Sequence, residues 1–139
     1  MDYRRFGNSV YIRMDRGEEI VEQLRTVCEK EKITLASVSA LGAVNDFTAG
    51  VFHTDTKQYV SHQFTGAFEI VSLTGSVTTM DGAFYAHLHM SAGDETGHVW
   101  GGHLNRAVVS ATCEMVVQVS DGTVERAFDP DVGLNLFRF

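Results

Sequence analysis

The chain has little of several residue types on which whole classes of protein depend. Of its 139 residues, one is proline and two are cysteines, Cys28 and Cys113, which form no CxxC pair. The scarcity of proline and the lack of a low-complexity run argue against disorder, and two cysteines build no disulfide framework. We therefore expect one folded domain, residues 1–139, with reduced thiols in the cytoplasm.

Basic charge and long apolar runs are also scarce. Eleven Lys and Arg stand against 18 Asp and Glu, so the formal net charge is −7 with His neutral. Non-specific binding to nucleic acid depends on basic charge, and this composition disfavours it. A membrane-spanning helix needs about 18 consecutive apolar residues, and no apolar run in this chain approaches that length. The N-terminus also lacks the apolar segment that is typical of a signal peptide. We expect no membrane partner.

The pattern of apolar residues indicates one helix among many strands. From Glu18 to about Lys32 the apolar residues recur at helical spacing, and Asp15 is the expected cap, with Glu18 in capping-box position. Asp81-Gly82 and Asp121-Gly122 predict hairpin turns. The predicted strands are Ser9–Met14, Leu35–Val44, Phe47–Thr54, His62–Phe64 leading into Ala67–Val77, Phe84–Met90, Ala107–Ser120 and Val124–Phe128. The pattern is typical of an α+β domain, an antiparallel sheet with a helix on one face.

Three histidines carry the strongest chemical signal. His87 and His89 are two residues apart in a predicted strand, so both project from one face, which Tyr85 shares. His103 follows Gly101-Gly102, where the backbone can approach another segment closely, and it ends a Gly-rich segment, Ser91–Gly102, that we predict to be a loop. Three imidazoles with one open position are typical of a catalytic zinc site, and other divalent transition metals suit imidazole too. Unrelated surface histidines are the alternative.

Other residues are weaker candidates for the same site. Glu69 lies in an apolar strand, so we expect it to be at least partly buried. It is then a general base beside a metal-bound water, an acceptor that orients a ligand His, or a structural acid with its own partners. His98 is a candidate fourth ligand in the predicted loop. Asn105 and Arg106 are candidates for lining the site, whereas His53 and His62 are expected to be ordinary strand residues.

Together, these motifs carry a resemblance to a known family. FEIVSLTGSV, then HLHMSAGDETGHVWGGHL, then a Val-rich strand resembles the plants-and-prokaryotes-conserved (PPC) domain over nearly the whole chain. The resemblance implies an antiparallel sheet of about five strands flanked by one main helix, assembled as a homotrimer. It also implies a metal site at the positions of His87, His89 and His103, near the subunit interface. Bacterial members are often described as predicted DNA-binding proteins.

The sequence departs from this family in two places. Plant members typically read Gly-Arg-Phe-Glu-Ile where this chain has Gly66-Ala67-Phe68-Glu69-Ile70, and no Arg-Gly-Arg-Pro AT-hook is present. An association with DNA therefore rests on the family label alone. Cupins also use an HxH motif, but the spacing of Gly82 and Glu95 and the early helix suit them poorly, so a cupin-like metal-binding protein ranks third.

Two functions follow as hypotheses. The first is a small trimeric metal-binding protein, with zinc as the expected ion and a DNA-associated or regulatory role implied by the resemblance. The alternative is a metalloenzyme in which a metal held by the three histidines activates water or a carbonyl, with Glu69 as the base.

Overall fold

One helix and eight strands make up the domain. The computed structural model describes all 139 residues. In chain order the elements are β1 (Asp2–Phe6), β2 (Ser9–Asp15), α1 (Ile20–Glu31), β3 (Ala36–His53), β4 (Gln58–Met80), β5 (Ala83–Gly93), β6 (Val99–Val119), β7 (Glu125–Asp129) and β8 (Leu134–Arg138). The predicted α+β class is confirmed, with eight strands instead of about five. The one helix is neither long nor apolar enough to cross a membrane.

Four long strands form a cyclic set of pairings at the centre of the sheet. β3 pairs with β4 and β6, and β5 pairs with the same two strands, all antiparallel. β1 and β2 extend the sheet from β6, whereas β7 and β8 extend it from β4. Because β5 and β3 both border β6, residues from distant parts of the chain meet where the two pairings overlap.

The helix begins later than the capping box predicted. Its N-cap is Glu19, whose carboxylate accepts a hydrogen bond from a backbone N–H of the first turn at 2.7 Å. Asp15 instead pairs with the ammonium group of Met1 at 2.7 Å. A turn with Gly17 at φ +88° separates Asp15 from the helix and bonds to β6, so Asp15 cannot cap it. The helix packs its apolar face against β5 and β6 with Ile20, Leu24, Val27 and Cys28.

Strand β3 joins two segments that the sequence predicts to be separate strands. β3 contains both Leu35–Val44, apart from its first residue, and Phe47–Thr54, apart from its last. Its pairing with β4 shifts register between Ala40 and Gly42 and again between Val44 and Asp46. Such bulges interrupt the alternation of side chains while the chain stays extended, so a break in the pattern was not a break in the strand.

The two predicted hairpin turns have different outcomes. Asp81-Gly82 connects β4 to β5, with both residues at positive φ as a tight hairpin turn requires. The hairpin predicted at Asp121-Gly122 is wrong, because β7 pairs with β4 and β8 and not with β6. The end of β4 holds this segment: the Thr79 hydroxyl donates to Glu125 Oε1 at 2.5 Å.

Candidate metal centre

Strand β5 places two of the histidines on one face. His87 and His89 alternate with Leu88 and Met90, which are buried in the core at 2 % exposure each. The imidazole rings of His87 and His89 lie side by side, with centroids 5.2 Å apart. The predicted division of this strand into a histidine face and a core face is therefore observed.

The predicted loop Ser91–Gly102 is mostly a hairpin. β5 continues to Gly93 and β6 begins at Val99, so only five residues form the turn. The Asp94 carboxylate closes this turn by accepting hydrogen bonds from the backbone of Thr96 and His98 and from the Trp100 indole. The Thr96 hydroxyl also donates to Asp94, at 2.6 Å. This bond, followed by the others, lowers the pKa of Asp94 to about 2. The polar, Gly-rich composition predicted a long loop. The segment forms a tight turn instead, because the Asp94 carboxylate accepts the hydrogen bonds of the N–H groups in that turn.

His103 enters the cluster from β6. It pairs in register with His89 on one side and with Gly50 of β3 on the other. Gly102 makes this approach feasible: its φ is +152°, and a Cβ there would lie 2.5 Å from the Gly50 carbonyl oxygen. Only glycine fits such a close backbone contact.

The three imidazoles converge within the reach of one ion. His103 has its ring centroid 5.2 Å from that of His87 and 5.6 Å from that of His89. One ligand atom from each of the three lies within 4.8 Å of the other two. None of the three rings hydrogen-bonds to another protein group, so their nitrogen lone pairs are free. Three neutral imidazoles are a donor set that zinc and similar ions accept, so the cluster could hold a metal.

Local electrostatics keeps two of these ligands neutral. Burial, followed by the charges of His103, Arg126 and His89, lowers the pKa of His87 to about 4. The pKa of His103 is also lowered, mainly by burial and then by His89. A metal therefore meets little competition from protons at these two side chains near neutral pH.

A cavity of about 690 Å³ opens onto the cluster. Of the predicted lining residues, Tyr85 and Asn105 border it, and Asn105 Oδ1 accepts a hydrogen bond from Tyr59 at 2.6 Å. Arg106 does not line it but pairs with Asp46 at 2.7 Å. His98 lies in the Asp94 turn, outside the cavity.

Glu69 does not line this cavity. It pairs in register with Gly93, five residues along β4 from the partner of His89, which is roughly 17 Å of strand. Its side chain is exposed, so the expected burial is wrong. The apolar neighbours Phe68 and Ile70 belong to the opposite face, and a pattern on one strand cannot show whether the other face is covered.

The C-terminal hairpin completes the cavity, and sequence reasoning missed it. β7 and β8 contribute Arg126, Leu134, Asn135 and Leu136 to the wall. The signal that could have found Arg126 is weak: one cation, next to Glu125, in the predicted strand Val124–Phe128. Its place beside the histidines depends on the pairing of β7 with β4, which no local pattern encodes.

Comparison with known proteins identifies the fold and the family. A "putative DNA binding protein" from Bacteroides thetaiotaomicron superposes with a TM-score of 0.96 at 31% identity, covering 99% of this chain and 96% of that one. A metal-containing protein from Archaeoglobus fulgidus matches with a TM-score of 0.88 at 34% identity, over 100% and 99% of the two chains. The bifunctional protein GlmU of a Synechococcus strain is 28% identical over 125 residues, which are 88% of this chain but 18% of that protein.

The molecule is thus an α+β domain with three histidines in the wall of a cavity. The sequence profile of the Plants and Prokaryotes Conserved (PCC) domain matches residues 1–121, and the chain belongs to that family. The resemblance drawn from the HLH and GGHL motifs is confirmed. The C-terminal hairpin that completes the cavity follows the matched segment.

Proposed function

We propose that the chain binds one divalent transition-metal ion through His87, His89 and His103, with zinc the best match. The observation that carries this is the convergence of three ligand nitrogens within 4.8 Å. Three protein nitrogens leave a tetrahedral ion one open position, and the cavity gives a small molecule access to it. The Archaeoglobus fulgidus neighbour, named as metal-containing, supports the proposal.

Metal content by elemental analysis tests this proposal. Wild-type protein supplemented with zinc is expected to retain about one ion per subunit. The double substitution His87→Ala with His103→Ala removes two of three ligands and should reduce bound zinc to background. His53→Ala is the matched control, because His53 is exposed at the end of β3. Equal zinc in the double variant and the wild type would refute the site.

The catalytic alternative has weaker support. A general base must come within hydrogen-bond reach of the reacting water, and Glu69 lies outside the cavity of its own chain. No Asp or Glu lines that cavity at all. We therefore favour binding of a small molecule at the metal over hydrolysis with Glu69 as the base.

A homotrimer is the second part of the proposal, and it rests mainly on the family resemblance. The chain leaves large apolar side chains exposed on several strands, among them Leu41 at 60 % and Val71 at 63 %. Covering such side chains with a second copy removes apolar surface from water, which stabilises the assembly. The DNA-associated role remains a family-level expectation. Arg5, Arg13 and Arg106 pair with carboxylates of this chain, which reduces the charge they offer to phosphates.

A further inference from the structure

The guanidinium of Arg126 is a buried cation without an acidic partner. The residue is 7 % exposed, and no carboxylate forms an ion pair with it. Its three protein acceptors are neutral: the Thr78 hydroxyl at 2.9 Å, the Asn135 carbonyl at 2.8 Å and the Ser76 hydroxyl at 3.5 Å. Burying a charge is costly unless it is paired, and burial lowers the pKa of Arg126 accordingly.

The position of this guanidinium is well defined. It packs against the rings of Tyr85 and Phe137, with its central carbon 4.8 Å and 4.5 Å from the two centroids. An arginine carries five N–H groups, and the three hydrogen bonds above use three of them. Two donors on a fixed, planar group are therefore left for a ligand.

Arg126 and the histidines border the same cavity. Ser76, which accepts from Arg126, is the register partner of His87, and Tyr85 precedes His87 by two residues on β5. No Asp or Glu is among the residues that line the cavity. Because Asn105 Oδ1 accepts from Tyr59, its Nδ2 is a further free donor. The polar wall thus offers one cation, Arg126, together with neutral donors, and no carboxylate in the wall balances its charge.

The wall also has apolar members. Val51, Phe52, Leu134 and Leu136 border the same cavity. A volume of about 690 Å³ falls within the range of small-molecule sites. A ligand that matches both parts of the wall has one anionic end and a hydrocarbon or aromatic body.

We propose that this cavity binds a small organic carboxylate, held by Arg126 at its anionic end and by the apolar wall along its body. Guanidinium binds carboxylate through two parallel N–H···O bonds, and two N–H groups are available here. A second contact, between the carboxylate and the open position of the metal, rests on the proposed function. The contact between the carboxylate and Arg126 is independent of the proposed function.

Calorimetric titration with hexanoate and its neutral analogue hexanamide tests the proposal. Both metal-free and zinc-loaded protein should bind hexanoate at least about tenfold more tightly than hexanamide, because only hexanoate pairs with the guanidinium. Zinc loading should strengthen hexanoate binding further. Inorganic phosphate, which has no apolar body, should bind more weakly than hexanoate.

Substitutions assign the effect to Arg126. Arg126→Gln should remove the preference for hexanoate in the metal-free protein, and Arg126→Lys, which keeps the charge without the fork, should retain part of it. Arg138→Gln, on β8 and outside the cavity, should change nothing. The comparison of hexanoate with hexanamide on wild-type protein stays decisive even if Arg126 variants unfold.

The outcomes separate this proposal from the metal site. Equal binding of hexanoate and hexanamide, or no binding of either to metal-free and zinc-loaded protein, would overturn the carboxylate site while leaving the zinc site intact. A protein that takes up no zinc but prefers hexanoate would refute the proposed function and support this inference. Tighter binding of phosphate than of hexanoate would overturn the carboxylate assignment in favour of an inorganic anion.

Discussion

At the scale of single residues, His87 combines partial burial with nearby positive charge. Its pKa is about 4 in the folded, metal-free protein, against about 6.5 for an unperturbed histidine. As the pH falls, the imidazole of His87 is therefore protonated in the unfolded chain before it is protonated in the folded one. The contribution of His87 to the free energy of unfolding is complete above pH 6.5 and falls as the pH drops toward 4.

The lowered pKa of His87 gives a prediction for the stability of the metal-free protein. Between pH 7 and pH 5, the wild type should lose more of its unfolding free energy than His87→Gln, which has no imidazole to protonate. Urea unfolding at several pH values measures the difference. If the unfolding free energies of the two proteins change equally with pH, the pKa of His87 is the same in the folded and the unfolded chain.

Glu69 provides a contrasting prediction at the same scale. Its carboxylate is exposed and makes no hydrogen bond or ion pair within the chain. Glu69→Gln should therefore change stability by less than about 0.5 kcal/mol, as surface substitutions usually do, and leave zinc content unchanged. Thermal melts and metal analysis together decide this. A loss of zinc would mean that Glu69 reaches a metal site in the assembled protein.

At the scale of elements, the approach of β6 to β3 controls where His103 lies. Gly102→Ala would place a Cβ 2.5 Å from the Gly50 carbonyl oxygen, so one of the two strands must move. Gly97→Ala is the matched control, since Gly97 also has positive φ, at +85°, but no atom lies within 4 Å of its Cβ position.

We expect the two glycine variants to differ in both stability and metal binding. Gly97→Ala should cost about 1–2 kcal/mol from backbone strain and keep normal zinc affinity. Gly102→Ala should cost more and weaken zinc binding by at least about tenfold, because His103 moves with its strand. Denaturant unfolding and zinc titration measure both effects. Equal losses in the two variants would mean that the close contact does not position His103.

At the scale of the whole molecule, the first prediction concerns assembly. Light scattering at micromolar concentration should give three times the 15.3 kDa of one chain. The physical reason is the exposed apolar area on the strands, which a closed ring of identical copies can cover. A mass of one chain would refute the trimer.

The second whole-molecule prediction concerns DNA. The chain carries a formal charge of −7, and a trimer triples it. Because binding to phosphates requires clustered Lys and Arg, A·T-rich duplex should bind more weakly than the roughly 10⁻⁴–10⁻⁶ M of non-specific binders. Fluorescence anisotropy at about 50 and 200 mM salt tests this. Sub-micromolar affinity with a steep salt dependence would reveal a basic surface that the charge total conceals.

Local sequence determined the parts of this protein that depend on near neighbours. The helix, the Asp81-Gly82 turn and the two faces of β5 follow from spacing, since side chains two apart in a strand share a face. The histidine cluster was also predictable, because His87 and His89 are local and glycines before His103 indicate close approach.

Tertiary structure alone decided the features that depend on distant pairing. Bulges kept β3 continuous through an interrupted pattern, and Glu69 became exposed because nothing in its own chain covers that face. Arg126 joined the cavity only because β7 pairs with the end of β4, 46 residues earlier in sequence at the Thr79–Glu125 contact. Such pairings depend on the competition of whole strands for partners, which no local pattern records.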